Sequence, residues 1–327
     1  MKKEIGLILG ICFFLLTLNC RAQKDFSKIM KLSETIKIQH SGSLEPYRVD
    51  VKLINGKTIL IADRKNGSIT TTKLNGIIKN KYNLGNKGFR IFDVTLDENE
   101  AVYILDMAAR FVFKLNEKGD IERKISVVRG EEILVEKGFL YLYRKLFIGK
   151  TPNEQTLYKY NLKGKLLKSF GRPPRGFDKK AAGLIGGSLV LTDTSIVVCH
   201  CFDYDVKIYS KNGDLKKNYS VKPTFYSEFN KSPDLNNPKE MKLWEKFTQH
   251  NLSLPYAKDI YISYYCSIDM TGAWLFVQNG KSNREYNLPP NLIPKFISGN
   301  KLYFFNSKTS KEKTLVLDVY EIGKDIL

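Results

Sequence analysis

FDVTLDENEAVYILDMAARFVFKLNEKGDIERKI, residues 92–125, contains four short segments in which apolar and polar residues alternate. Successive side chains of a β-strand point to opposite faces of a sheet, so this alternation is typical of strands. A short polar turn follows each segment, and strands joined by such turns pair antiparallel. The stretch therefore predicts a four-stranded antiparallel meander, which is one blade of a β-propeller. The segments are Phe92–Leu96, Ala101–Asp106, Phe111–Leu115 and Ile121–Ile125.

The blade pattern recurs along the chain and is marked by a glycine in the turn between the third and fourth strands. The first four turn glycines are 43, 45 and 49 residues apart, and two later candidates follow after 67 and 43 residues. Glycine suits these turns because hairpin turns need positive φ angles. A period in the forties is typical of propellers, so the sequence predicts an all-β, six-bladed β-propeller. The six glycines are Gly76, Gly119, Gly164, Gly213, Gly280 and Gly323.

The ends of the chain complement each other. The last blade shows three strands, Ile293–Ile297, Lys301–Asn306 and Thr314–Ile322, whereas an extra strand, Thr35–Gln39, precedes the first full blade. We expect Thr35–Gln39 to pair beside Thr314–Ile322. This pairing closes the ring with the N-terminal strand and removes exposed sheet edges.

The 67-residue interval between turn glycines predicts an insertion at 222–256, between blades four and five. Asn237 and Pro238 begin a capping box with proline at the first helical position. Apolar residues then recur at helical spacing, so we expect a short amphipathic helix that ends near Asn251.

The first 22 residues are typical of an export signal, because two lysines precede the apolar run Ile5–Leu18. Two processing schemes remain open. The residues before Cys20 resemble a lipoprotein box, in which Cys20 would carry a lipid and anchor the chain to a membrane; alternatively, cleavage follows Ala22. Both schemes predict an extracytoplasmic protein, in the periplasm or at the outer membrane, with the propeller at 23–327.

The chain is strongly basic, with 53 Lys and Arg against 34 Asp and Glu and a net charge of +19. Such a charge favours anionic partners. However, only 11 of the basic residues are Arg, and the lysines lack the interleaved aromatic residues that stack on bases. The composition therefore argues against nucleic-acid binding and is compatible with a soluble, lysine-rich surface.

Residues that commonly carry catalysis are sparse. The chain has three histidines, and it contains no nucleophile-elbow, zinc-protease or paired-cysteine metal motif. Outside the signal region the cysteines are Cys199, Cys201 and Cys266, which we expect to be buried in the core. Cys199 and Cys201 share one face of a strand and His200 takes the other, so these three cannot converge on a metal ion. We therefore predict no metal and no cofactor, and we favour a non-enzymatic protein.

The chain resembles the NHL-type and TolB-like six-bladed propellers, including exported members with lipoprotein signals. Their blades have a Gly-rich leading loop, a second strand ending in Asp, and an Asn/Asp-x-x-Gly turn. The resemblance implies this fold and little about chemistry, because the fold serves scaffolds, receptors and enzymes. The matching residues are Asp63, Gly85, Gly88, Phe89, Asp106, Asn116, Gly119, Gly171, Gly176 and Phe177.

Three groups of residues are candidates for roles in structure or binding. Asp63 and Asp106 close second strands 43 residues apart, and we expect them to bond turn amides. Asp50 and Asp93, also 43 residues apart, are candidates for the lining of the central channel. A loop face of basic and aromatic residues forms the third group, a candidate contact surface for a protein, an anionic glycan or a small ligand. Its members are Arg90, Arg172, Arg175, Lys179, Phe225 and Trp244.

We interpret the chain as a binding or scaffold module without catalytic activity that acts through this loop face. The alternative is an extracytoplasmic hydrolase or lyase that acts on an anionic sugar or a lactone in the central channel. A histidine beside Asp50 and Asp93 would favour the enzyme, because histidine is the commonest base at neutral pH. An axis plugged by apolar side chains would favour binding at the loop face.

Overall fold

The structure is a computed structural model that describes residues 24–39, 48–85, 88, 90–106, 110–144, 155–173, 187–201, 203–227, 237–310, 313–324 and 326. In these residues, 24 of the 25 strands form six antiparallel four-stranded sheets, and the remaining short strand extends one of them. The sheets form the blades of a six-bladed β-propeller, as the sequence predicts. The part of the chain described here contains no helix that is long and apolar enough to cross a membrane.

The chain begins with β1 (Lys24–Asp25), a single 3-10 turn at Phe26–Lys28, and β2 (Met30–Gln39). Blade one contains β3 (Val49–Ile54), β4 (Thr58–Asp63), β5 (Ser68–Lys73) and β6 (Ile78–Asn83). Blade two contains β7 (Ile91–Leu96), β8 (Val102–Asp106), β9 (Phe111–Leu115) and β10 (Ile121–Ser126). Blade three contains β11 (Glu132–Glu136), β12 (Phe139–Tyr143), β13 (Leu157–Asn161) and β14 (Leu166–Phe170).

Blade four contains β15 (Gly187–Leu191), β16 (Ser195–His200), β17 (Val206–Ser210) and β18 (Leu215–Tyr219). Helix α1 (Pro238–Glu245) follows. Blade five contains β19 (Thr248–Ala257), β20 (Ile260–Ser267), β21 (Ala273–Gln278) and β22 (Asn283–Asn287). Blade six contains β23 (Leu292–Ser298), β24 (Lys301–Asn306) and β25 (Thr314–Ile322), and β2 is its outermost strand.

The N-terminal strand closes the ring, which confirms the predicted pairing. Thr35 lies opposite Asp318, and Gln39 lies opposite Thr314, in an antiparallel register. Ile36 and Ile38 are buried in a cluster that also contains residues of blade one. A second contact was not predicted: β1 runs parallel to β22, with Lys24 opposite Tyr286.

The repeated turn glycines occupy the expected hairpins, with one exception. The first five have φ angles between +76° and +90°. Gly323 does not form a turn between consecutive strands, so that part of the repeat prediction is wrong. Its N–H donates to the carbonyl of Ile29 at 2.7 Å, beside the start of β2. The fourth strand of blade six comes from the other end of the chain, and a hairpin is therefore not needed there.

The insertion between blades four and five is shorter than the sequence predicts. Helix α1 begins at Pro238, and Asn237 Oδ1 accepts the Lys239 N–H at 3.1 Å, as a capping residue does. The helix ends at Glu245 rather than near Asn251. Thr248–Ala257, predicted to lie in the insertion, form the inner strand of blade five. The apolar strand β20 needs a partner on its channel side, and β19 supplies it.

The six inner strands β3, β7, β11, β15, β19 and β23 surround the axis, and each contacts the next. Their backbones belong to different sheets, so side chains bridge them at three junctions. In each case a side-chain oxygen accepts a backbone N–H of the following blade. The acceptor and donor pairs are Asp93 with Ile133 at 2.7 Å, Glu132 with Leu189 at 3.1 Å, and Ser188 with Ser253 at 3.2 Å.

Candidate functional site

A cavity of about 660 Å³ occupies the axis of the propeller and is lined by residues of all six inner strands. This volume is in the range of small-molecule sites. The axis is therefore not plugged by apolar side chains. We call the half where the inner strands begin the channel mouth. The other half is lined by apolar residues near the strand ends, such as Leu53, Leu96 and Leu191, and by two acids, Glu136 and Asp193.

Lys52 and Asp93 form the most buried ion pair at the channel mouth. Lys52 Nζ lies 2.6 Å from both Asp93 carboxylate oxygens, and Asp93 is only 3% exposed. Desolvation raises the pKa of Asp93 to about 6, and the charge of Lys52 opposes this rise. Asp93 also accepts the Ile133 N–H, so both its oxygens are engaged.

Asp50 and Arg64 form a second, more open pair. Arg64 Nε lies 3.3 Å from Asp50 Oδ2, and the two side chains are 27% and 30% exposed. The guanidinium also donates to the carbonyl of Phe92 at 3.3 Å, and its carbon lies 5.9 Å from the centre of that ring. These contacts hold the Arg64 side chain between blades one and two, with part of its surface facing the channel.

Lys295 brings a third cation to the mouth from blade six. The side chain is half-buried and lines the cavity. Desolvation lowers its pKa, and the negative charge of Asp50 opposes that effect. Asp50 thus faces two cations, Arg64 and Lys295. This wall of blades one and six has more exposed positive than negative charge, because Asp93 is occupied by Lys52.

The opposite wall, from blades four and five, combines polar groups with apolar side chains and includes one carboxylate, Asp193. Asn251 Nδ2 donates to Cys266 Sγ at 2.9 Å, and both residues line the cavity beside Ser188. Desolvation raises the pKa of the Cys266 thiol to about 11, so the thiol is protonated at neutral pH and is a weak nucleophile. The cavity therefore has its cations on the wall of blades one and six, whereas carboxylates from blades three and four, among them Glu132 and Asp193, lie elsewhere in its lining.

Asp50 is among the residues that line the cavity, whereas Asp93 is buried and bonded to Lys52, which lines it. A binding role for the two predicted channel acids stays a prediction. Lys52, Arg64, Glu132 and Lys295 were not identified from the sequence. One signal was available, because Lys52 is two residues after Asp50 and therefore shares its face of the strand. The proximity of Asp50 and Lys295 has no sequence signal, since these two residues are more than 200 positions apart.

The predicted loop face is not brought together as one described surface. Arg90 is exposed, and its backbone N–H donates to Asp106 Oδ2 at 3.3 Å. Arg172 is also exposed and lies between blades three and four, near Tyr209 and Asp205. Arg175 and Lys179, and the Trp244 side chain on α1, lie outside the described part of the structure.

Phe225 is partly buried and packs into an aromatic cluster. It stacks on Trp274 at 4.9 Å between centroids, with 7° between the ring planes, and meets Tyr265 edge-on at 5.4 Å. Asp63 has its expected structural role, because Oδ1 accepts the N–H groups of Lys65 and Asn66.

The described histidines are buried away from the channel lining. His250 is fully buried in β19, with Nδ1 3.0 Å from the carbonyl of Asp203 and Nε2 2.7 Å from Ser253 Oγ. Burial lowers its pKa to about 4, so the ring is neutral at physiological pH. Cys199, Cys201 and Cys266 are buried, as expected of core residues. No group of three metal-ligating side chains occurs in the described ranges.

Comparisons with solved structures support the fold. A member of the DUF4221 family from Bacteroides vulgatus has a TM-score of 0.63 and 14% identity, with 90% of this chain and 99% of that chain covered. A Bacteroides fragilis protein, provisionally named as exported, has a TM-score of 0.61 and 13% identity over 92% and 97% of the two chains. Virginiamycin B lyase from Staphylococcus aureus has a TM-score of 0.50 and 12% identity over 85% and 82%. No protein-family model matches the sequence, and neither does any curated protein.

Proposed function

We propose that this chain is an exported, non-catalytic binding module that holds a small anionic ligand at the mouth of its central channel. One observation carries the proposal: an open cavity of about 660 Å³ presents Lys52, Arg64 and Lys295 on one wall. The loop face, favoured from the sequence, is the less supported site, because Phe225 packs into an aromatic cluster and Arg90 and Arg172 lie at different blade junctions.

An anion suits this wall for electrostatic reasons. Lys52 already has a carboxylate partner in Asp93, whereas Arg64 and Lys295 share Asp50. A ligand carboxylate or phosphate at Arg64 and Lys295 would compensate the second positive charge. Guanidinium groups bind such planar or tetrahedral anions through paired hydrogen bonds. Polar groups of blades four and five, such as Ser188 and Asn251, would face the rest of the ligand.

A second candidate function, hydrolysis or elimination on an anionic sugar or a lactone, needs a base in the channel. The raised pKa of Asp93, about 6, is the observation that favours it. Binding is the better supported function because Asp93 is 3% exposed and both oxygens are engaged. In a catalytically inactive variant of the similar virginiamycin B lyase, one histidine is replaced by alanine. The described lining of the channel in this chain contains no histidine.

Export is the part of the proposal that rests on the N-terminal signal. The apolar run Ile5–Leu18 and the lipoprotein-like Cys20 support secretion, and the Bacteroides fragilis neighbour carries a provisional name as an exported protein. The finer resemblance to NHL-type and TolB-like propellers stays a prediction, as does the location in the periplasm or at the outer membrane.

Binding can be tested by calorimetry with matched pairs of ligands that differ only in charge. We expect glucuronate or glucose 6-phosphate to bind the purified protein and to raise its unfolding temperature, whereas glucose does neither. Arg64→Gln and Lys295→Met should each weaken binding about tenfold or more, as loss of a charge-assisted contact does. Lys81→Gln, at an exposed position on the outer strand of blade one, is the control and should leave affinity unchanged.

Three results would contradict the proposal. Equal binding of the neutral sugar would show that charge does not select the ligand. Unchanged anion affinity in Arg64→Gln and Lys295→Met would remove the site from the channel mouth. Loss of affinity in Arg90→Gln or Arg172→Gln instead would return the site to the loop face.

A further inference from the structure

Exposed aliphatic side chains recur at one position of the outermost strands. Ile78, Ile121, Leu166 and Leu215 each lie two residues after the turn glycine of their blade, and they are 36–55% exposed. In blade six, Leu32 lies near the start of the outermost strand and is 49% exposed. We call these five residues the outer-strand ring. Blade five departs from the pattern, because Ser282 follows Gly280 by two residues.

The outer-strand ring lies near one plane because of the symmetry of the fold. The four residues that follow the turn glycines occupy the same place in four blades, and the blades are arranged around one axis. Equivalent positions in such blades lie at about the same height along that axis. The ring is therefore placed around the face opposite the channel mouth. A flat partner can contact all of its members at once, whereas a small protein surface cannot.

The strands that carry the ring are basic. The six outermost strands, β2, β6, β10, β14, β18 and β22, contain ten Lys or Arg residues and three Glu residues. Three of these cations, Lys79, Lys168 and Lys217, pair with acids of neighbouring turns. The strands and these three partners together therefore carry four more positive than negative charges. Long lysine side chains can extend toward a charged surface while nearby aliphatic groups enter an apolar layer. This combination is found at interfaces with anionic lipid bilayers.

We infer that the outer-strand ring docks this protein on the surface of a bilayer that contains anionic lipids. Lys24 pairs with Tyr286, the fourth residue of β22, so it lies about three residues along that strand from the ring end of blade five. Cys20, the predicted lipid acceptor, is four residues earlier, so a chain of at most about 14 Å joins it to Lys24. A lipid at Cys20 would hold the propeller against the membrane, where the ring supplies additional contacts.

Vesicle flotation with the purified mature protein tests this inference. The Cys20→Ala form is included so that binding by the ring is separated from binding by a lipid. We expect the Cys20→Ala protein to bind phosphatidylcholine vesicles weakly and to bind vesicles with added phosphatidylglycerol more tightly. The four-fold variant Ile78→Ser, Ile121→Ser, Leu166→Ser and Leu215→Ser should lose about tenfold or more of this binding. Val128→Ser, which changes an exposed aliphatic residue outside the ring, should bind like its parent.

Three results would overturn membrane docking by the outer-strand ring. The first is equal flotation of the parent and the four-fold variant, and the second is absence of binding to either vesicle. The third is that the parent forms dimers in solution whereas the variant with four substitutions is monomeric, because the ring would then join two copies of the chain. Circular dichroism is used to show that the four-fold variant is folded. If that variant is not folded, a variant that combines Lys165→Gln, Lys216→Gln and Lys81→Gln is used instead. Its preference for vesicles with phosphatidylglycerol should disappear.

Discussion

Three of the repeated turn glycines, Gly76, Gly213 and Gly280, meet two separate requirements. The first is a positive φ angle, which side chains with a Cβ adopt at a cost. The second is close packing on the outermost strand of the preceding blade. A Cβ on Gly213 would lie 2.7 Å from the Phe170 ring, and a Cβ on Gly280 would lie 2.6 Å from the Tyr219 ring. At these three positions the glycine that marks the repeat in the sequence therefore also marks the junction between blades.

We expect Gly213→Ala to lower the free energy of unfolding by about 2–4 kcal/mol, from backbone strain and overpacking together. Gly138→Ala is a matched control, because Gly138 has a φ of +79° and no atom within 4 Å of an added Cβ. It should cost only the backbone strain, about 1–2 kcal/mol. Urea unfolding of both variants measures the difference. Equal losses would show that the neighbouring blade adjusts without cost.

The N-terminal strand β2 is the element that joins the two ends of the chain. Its burial is uneven, because Ile36 and Ile38 face the junction between blades six and one, whereas Leu32 is 49% exposed. The strand thus closes the ring through a few buried aliphatic side chains and the hydrogen bonds to β25. Closure requires contacts between residues about 280 positions apart, so it depends on the other blades being in place.

We expect Ile38→Ala to cost about 2–4 kcal/mol of unfolding free energy, the usual loss for a large aliphatic residue in a packed core. Leu32→Ala in the same strand should change it by less than about 0.5 kcal/mol. Thermal and urea unfolding of the two variants test the role of this strand. Similar small losses in both would mean that the ring is stable without a tight closing strand.

For the whole molecule, two buried groups give opposite pH dependences of stability. His250 has a folded-state pKa of about 4, below its ordinary value of 6.5, so the unfolded chain binds the proton more readily. Its contribution to stability is lost as the pH falls from 6.5 through 4. Asp93 has a folded-state pKa of about 6, above 3.8, so the folded protein binds the proton more readily. Its contribution is present below 3.8 and is lost as the pH rises through 6.

We therefore expect the two effects to offset each other in the parent protein between pH 4 and 6.5, and to separate in variants. We compare how the unfolding free energy of each variant and of the parent changes as the pH falls from 6.5 to 4. Relative to the parent, His250→Gln should become more stable and Asp93→Asn less stable, each by up to about 3 kcal/mol. Urea unfolding at several pH values in this window gives the slopes. Slopes equal to that of the parent in both variants would show that neither group titrates as the structure indicates.

Most of the fold is determined by the sequence, because strand alternation and turn glycines reflect local geometry. The segment 92–125 predicts its four strands nearly to the residue, and Thr35–Gln39 is correctly assigned to the closing position. The local pattern fails at Thr248–Ala257, where helical spacing continues past α1 but the chain forms a strand. The strand forms because it pairs with its neighbour β20. This pairing depends on contacts between strands, and the spacing of apolar residues along the chain does not show it.

The candidate site is decided mainly by the tertiary structure. The sequence places Asp50 and Asp93 on inner strands, because their positions repeat from blade to blade. It does not show that Arg64 and Lys295 converge on Asp50, since the two cations come from blades one and six. Only closure of the ring brings those blades together. Alternation along a strand is fixed by the stereochemistry of each residue, whereas the partner of a charge across a channel is fixed by which blades become neighbours in space.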